Sequence, residues 1–250
     1  MSAERTILIS FAHPDDETFL TGGVASKYAD QGVRVVLSVA TLGEAGKMGD
    51  PPICAPEQLP EVRERELRAA VQILGIADVH LLGYRDRELA SANPDTIRSQ
   101  LVGLIRRCRP QVVITFDPNG TNLHPDHIAI SRFTSDALAA AADPRWLPAA
   151  EDAHEVHRLV WMPRQRPWQM ARLPALRTEP SADFVIDTAR WARRKAEALR
   201  AHRTQQASAN RNFFSQPDAD RLLSIEVFRQ AWGPHLVERP ADDLFSGIDA

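Results

Sequence analysis

Short, nearly unbroken apolar runs punctuate the first two thirds of the chain: Thr6–Phe11, Val33–Ala40, Val79–Leu82 and Gln111–Phe116. β-Branched residues are frequent in them, as expected of strands buried on both faces of a parallel sheet. The segments between are of helix length and space their apolar residues along one face, as Phe19, Leu20, Val24 and Tyr28 do. The pattern predicts helices over about 17–31, 59–74, 95–108 and 126–142, with Gly32, Gly75 and Pro110 as stop signals. Alternating strand and helix is the signature of βαβ units. The expected fold is therefore α/β: a single-domain, Rossmann-like, doubly wound and mostly parallel sheet with helices on both faces.

Beyond residue 142 the pattern weakens. A fifth strand is expected at 155–162, a short strand at Val185-Ile186, an Arg/Lys/Ala-rich helix over 188–204, a terminal helix over 219–232 and a loose tail over 239–250. Residues 163–180 carry Pro163, Pro167, Pro174 and Pro180, which bars a long regular element and reads as a lid; the other long loop covers 43–60. No repeat of solenoid period and no linker interrupts the chain, so residues 1–250 read as one domain.

Composition narrows the function classes. With 44% hydrophobic and 25% charged residues the chain has material for a substantial core, and its net charge of -3 carries no basic surplus for nucleic acid. Cys54 and Cys108 are far apart and form no Cys-x-x-Cys pair, which fits a reducing, cytoplasmic setting. The opening apolar run is too short for a membrane span or secretory segment. Nothing in the composition decides between a monomer and a homo-oligomer.

Chemistry concentrates in two loops. His13-Pro14-Asp15-Asp16-Glu17 follows the first strand, and His124-Pro125-Asp126-His127 comes soon after the fourth. Each opens a predicted helix, so Asp15, Asp16 or Asp126 alone reads first as an N-cap. Two copies of His-Pro-Asp after two buried strands argue for a site instead. If the strand order is 3-2-1-4-5, the first and fourth strands flank the switch point, where ligands of such sheets bind. The two loops then face each other. His13, Asp16 and His127 make a two-imidazole, one-carboxylate set suited to a catalytic zinc with an open position for water, and Asp15 is free to take that water's proton. A nucleotide-binding module is the rival from another class, but His-Pro-Asp stands where a glycine-rich phosphate loop belongs.

These motifs resemble those of the LmbE-like, or PIG-L, zinc-dependent N-deacetylases. The similarity extends to Thr41-Leu42-Gly43-Glu44-Ala45-Gly46, to Arg63-Glu64-Arg65-Glu66-Leu67 and to Ala201-His202-Arg203-Thr204-Gln205, covering about 5–206 and leaving 207–250 as a C-terminal helix and tail. The resemblance implies that His13, Asp16 and His127 bind Zn2+, with Fe2+ or another divalent ion able to occupy such a site, and that Asp15 is the general base. It implies that a protonated His124 stabilises the oxyanion and that Asp126 orients it. Glu44, Arg63, Asp86 and Asn122 are the implied substrate contacts. The implied reaction removes an acetyl group from an amino sugar or glycoconjugate of N-acetylglucosamine type, giving acetate and a free amine. An amidase on a larger acyl group or a thiol conjugate is the alternative, and an inactive zinc-binding partner protein is a third reading. Some relatives have a tyrosine where this chain has Asn122, which argues against the mycothiol-pathway branch.

Outside the motifs plainer readings hold. Arg63 sits among Glu61, Glu64 and Glu66 at helical pairing distance, and His202 stands where a helix should end. His80, His154, His157 and His235 read as surface residues, and Trp161 and Trp168 as core.

Overall fold

The computed structural model describes residues 4–147, 151–163 and 182–248. Seven strands form one sheet in the order β3-β2-β1-β4-β5-β7-β6: β1 (Thr6–Phe11), β2 (Arg34–Thr41), β3 (Asp78–Tyr84), β4 (Val112–Phe116), β5 (Arg158–Met162), β6 (Phe184–Asp187) and β7 (Ile225–Trp232). The first five are parallel, in the expected 3-2-1-4-5 order, and Ile7 pairs with Val35 on one side and Val112 on the other. Every residue of β1 and β4 is buried, which explains their continuous apolar character.

The helices are α1 (Asp16–Asp30), α2 (Leu59–Leu74), α3 (Pro94–Cys108), α4 (Gly120–Leu123, one broken turn), α5 (Pro125–Ala142), α6 (Ala192–Ala201), α7 (Gln206–Ala209) and α8 (Ala219–Ser224). Their ends follow local chemistry. Asn93 caps α3 by accepting from the Asp95 and Thr96 amides at 3.0 and 3.1 Å, and Gly75 ends α2 in the left-handed conformation. Polar bonds stitch the layers at the centre of the sheet. Thr115 Oγ1 donates to the Ser10 carbonyl at 2.8 Å, and the Ser10 and Thr134 hydroxyls share a bond of 2.8 Å.

The C-terminal part corrects three expectations. The segment 219–232 is not one helix: after α8 the chain becomes β7, which runs antiparallel to both β5 and β6. Nor is the tail loose. Leu244 and Phe245 are buried, Asp243 accepts from the Tyr28 hydroxyl at 2.7 Å, and the Arg158 guanidinium donates to the Leu244 and Ser246 carbonyls. His154 is buried rather than on the surface, with Nε2 bonded to the Pro110 carbonyl at 2.8 Å. Trp161 packs against the core as expected. The expected lid at 163–180, Trp168 included, lies outside the described residues apart from Pro163.

Candidate metal centre and active site

The C-terminal ends of β1 and β4 are neighbours at the switch point, and the two His-Pro-Asp loops meet there. His13 Nδ1 lies 3.2 Å from His127 Nε2, and Asp16 oxygens lie 3.6 Å from the first and 3.5 Å from the second. A tetrahedral ion with bonds of about 2.0–2.1 Å separates its donor atoms by about 3.3–3.4 Å. The three distances fit that figure.

The outer nitrogens support the same reading. His13 Nε2 faces two carboxylates, Asp86 at 3.1 Å and Asp126 at 3.2 Å, which accept its proton; His127 Nδ1 faces the Gly120 carbonyl at 3.2 Å. With each ring donating outward, Nδ1 of His13 and Nε2 of His127 turn lone pairs toward one another and toward the Asp16 carboxylate. Such a set fits a cation. His13, His124 and His127, and His13, Asp86 and Asp126, also bring ligand-type atoms close together. The second grouping gathers on the outer nitrogen of His13, and its carboxylates are held by other donors, so we read it as the clamp that fixes the ring.

Packing fixes the ligands further. Phe116, the last residue of β4, stacks on the His127 ring at 4.0 Å and 10°. Gly120 has φ +66°, and a Cβ there would stand 2.8 Å from His127 Cβ, so glycine lets the loop pass the ligand. Burial opposes the Asp16 charge, but His127 and His13 outweigh it and hold the carboxyl down at about 2. Against burial, the hydrogen bond with His13 also keeps Asp86 well below the usual carboxylate range.

Asp15 lines the same cavity, of about 380 Å³, as His13, Asp16, His124 and His127. It precedes α1 with φ 109°, ψ -32° and caps nothing with its side chain. Burial pushes its carboxyl up to about 7, against the pull of Arg63 at 3.2 Å. The sequence-expected roles of several neighbours shift in this geometry. Arg63 is almost fully buried and donates to the Gly43 carbonyl at 2.9 Å, to the Pro14 carbonyl and to Asp15, so it braces the base while lining the cavity. Asp86 also lines the cavity, but it grips His13 and accepts from the Ala45 amide at 3.1 Å; Glu44 accepts from the Asp86 amide at 3.0 Å.

Asp126 does not place its carboxylate on His124. Its oxygens accept from His13 and from the Arg87 and Leu89 amides, at 2.6 and 3.3 Å for the amides. It is the Asp126 backbone amide that donates to His124 Nδ1, at 3.2 Å. An Nδ1 that accepts this bond leaves the ring proton on Nε2, and burial lowers the His124 pKa. Asn122 reaches the cavity wall and accepts from the His124 amide at 3.0 Å. Sequence reasoning missed further residues that line the cavity, among them Phe19, Leu20, Ser208, Arg211 and Asn212. Only Gln205, inside a quoted motif, gave any signal there.

Fold and site together define a class: a doubly wound α/β protein in which two histidines and an aspartate converge at the switch point with a second aspartate beside them in one cavity. The chain belongs to the PIG-L family, described as GlcNAc-PI de-N-acetylase, whose model matches residues 8–138. It is 35% identical to the 1D-myo-inositol 2-acetamido-2-deoxy-alpha-D-glucopyranoside deacetylase of Geodermatophilus obscurus over 99% of both chains. It is 34% identical to the protein of that name from Thermobifida fusca, over 97% of this chain and 99% of that one. The N,N'-diacetylchitobiose deacetylase of Pyrococcus horikoshii shares the fold at a TM-score of 0.70 and 19% identity, covering 91% of this chain and 84% of that one. This likeness to inositol-glycoside deacetylases runs over the whole length of the chain, against the expectation drawn from Asn122. No helix among the described residues is long and apolar enough to cross a membrane.

Proposed function

We propose that the chain is a zinc-dependent hydrolase that removes the acetyl group from an N-acetylglucosamine glycoside, releasing acetate and the free amine. One observation carries the reading: the two imidazole lone pairs and the Asp16 carboxylate converge at tetrahedral spacing in a cavity that Asp15 also lines. His13, Asp16 and His127 would hold the ion, and nitrogen donors with a single carboxylate favour zinc, although Fe2+ suits the same set. When bound, the ion supplies a water that ionises near neutral pH and a positive charge for the acetamide oxygen.

The chain's own residues do the rest. Asp15 takes the proton of the attacking water and hands it to the leaving nitrogen, which otherwise departs as an unstable amide anion. Neutral His124 donates its Nε2 proton to the oxygen as negative charge grows there. Asp86 and Asp126 keep the His13 ring turned so that Nδ1 faces the ion. The polar lining residues Asn122, Ser208 and Asn212 suit sugar hydroxyls. The likeness to inositol-glycoside deacetylases over the whole length supports a small glycoside as substrate. The two free cysteines fit a cytoplasmic setting.

The test is acetate release from N-acetylglucosaminyl inositol and other N-acetylglucosaminides, with metal analysis of each variant. Asp15→Ala keeps one ion per chain and loses about 10²–10⁴ in kcat. His13→Ala loses the ion. Full turnover in Asp15→Ala overturns this division of labour.

A further inference from the structure

Behind Asp15, on the side away from the cavity, lies a fully buried ionic group. His202 Nε2 is 2.7 Å from Glu17 Oε1, and neither residue is exposed to solvent. The Thr18 hydroxyl donates to the same oxygen at 2.6 Å, and the other Glu17 oxygen accepts from the Asp15 backbone amide at 3.0 Å. A buried carboxylate is costly without compensation, so this arrangement calls for a reason. Helix capping does not supply one, because Asp15 has φ 109°, a conformation that L residues avoid and that costs about 1–3 kcal/mol. The Glu17 bond is made to the residue under strain.

His202 ends α6 and opens a turn whose next residues grip the other side of the site. The Thr204 amide and hydroxyl donate to the two Glu66 oxygens at 2.9 and 2.6 Å, and Gln205 Nε2 donates to the Lys47 carbonyl at 2.9 Å. Glu66 lies one helical turn from Arg63 on α2, and Arg63 holds the Asp15 carboxylate at 3.2 Å. Two arms from one turn thus reach Asp15: through Glu17 to its backbone, and through α2 and Arg63 to its side chain.

We infer that His202 and Glu17 are positioning residues for the general base: the buried pair holds the Asp15 backbone in its strained conformation and so aims its carboxylate at the reacting water. The inference rests on the proposed role of Asp15. Among the described residues His202 makes no hydrogen bond to His13, Asp16 or His127, and its ring is held by Glu17 and Thr18. Its remaining nitrogen, Nδ1, has no hydrogen-bond partner among the described residues, as befits a side chain that serves one carboxylate.

Two measurements on the full chain test this. The first needs no turnover: amide hydrogen exchange at Asp15 should speed up at least about tenfold in His202→Phe and Glu17→Gln, while β1 amides stay protected. Unchanged protection at Asp15 overturns the inference whatever the enzyme's activity. The second is a kinetic cycle on metal-loaded protein. His202→Phe should lower kcat about 10–100-fold with KM and metal content held, His202→Gln, which keeps a donor, should recover part of the loss, and His202→Phe should add nothing in an Asp15→Ala background. Additive losses, or metal lost together with activity, overturn it. If His202→Phe does not fold, Glu17→Gln and His202→Gln carry both measurements. Failure of the deacetylase reading appears separately, as wild-type protein that releases no acetate while the exchange result stands.

Discussion

At the residue scale the proposed base, Asp15, is a carboxyl that burial pushes up to about 7. A base works only when deprotonated, so kcat/KM falls as pH drops through the Asp15 pKa; a bound cation favours the carboxylate and moves that limb below 7. Arg63 pulls the same way, so Arg63→Gln should move the acid limb to higher pH, seen in the pH profile of kcat/KM. A limb that stays in place would remove Arg63 from the base's surroundings. The motif residues were readable in the sequence because their chemistry is local, a proline-fixed histidine beside acids at a strand end. Partners were not readable. Asp86 and Asp126 meet on His13 from loops 73 and 113 positions away, and no spacing rule reports that. Asp126 illustrates the limit: sequence proximity tied it to His124, yet its carboxylate turned to two backbone amides and another ring.

At the element scale, the loop after β2 is shaped around Arg63. Gly43 has φ +66°, and a Cβ there would stand 1.9 Å from an Arg63 nitrogen. Gly43→Ala should displace that guanidinium, cost about 1–3 kcal/mol in stability and lower kcat/KM about tenfold or more. Thermal melting and steady-state kinetics check both. The β/α alternation through α5 was legible because each element carries its own period and stop signal, Gly75 being one. Ile225–Trp232 was not. Eight residues mixing Ile, Val, Phe and Trp with Glu, Arg and Gln are compatible with either period, and pairing with β5 and β6 decided for a strand. The tail was misread for a similar reason, since Tyr28 and Arg158, which bind it, are remote in sequence.

At the scale of the whole molecule, the proposed ligands come from two loops that only the assembled sheet brings together, so cation binding should be linked to folding. Zinc at a hundred times its Kd should stabilise the fold by about 2.7 kcal/mol, raising Tm by about 5–10 °C, and a chelator should reverse this. His13→Ala should melt at the same temperature with and without zinc. A shift that survives in that variant would locate the ion elsewhere.

The sheet also closes late. On β7, Glu226 accepts from the Gly23 and Val24 amides of α1 at 2.8 and 2.7 Å and pairs with buried Lys195 at 2.7 Å. These bonds span 203 and 202 positions. A nascent chain emerging from the ribosome therefore carries α1 long before the β7 carboxylate that braces its middle has been translated. The helix beginning at Asp16 reaches its final surroundings only once synthesis has passed residue 226, and a fragment halted before that point leaves the Gly23 and Val24 amides without their Glu226 partner however complete its motifs.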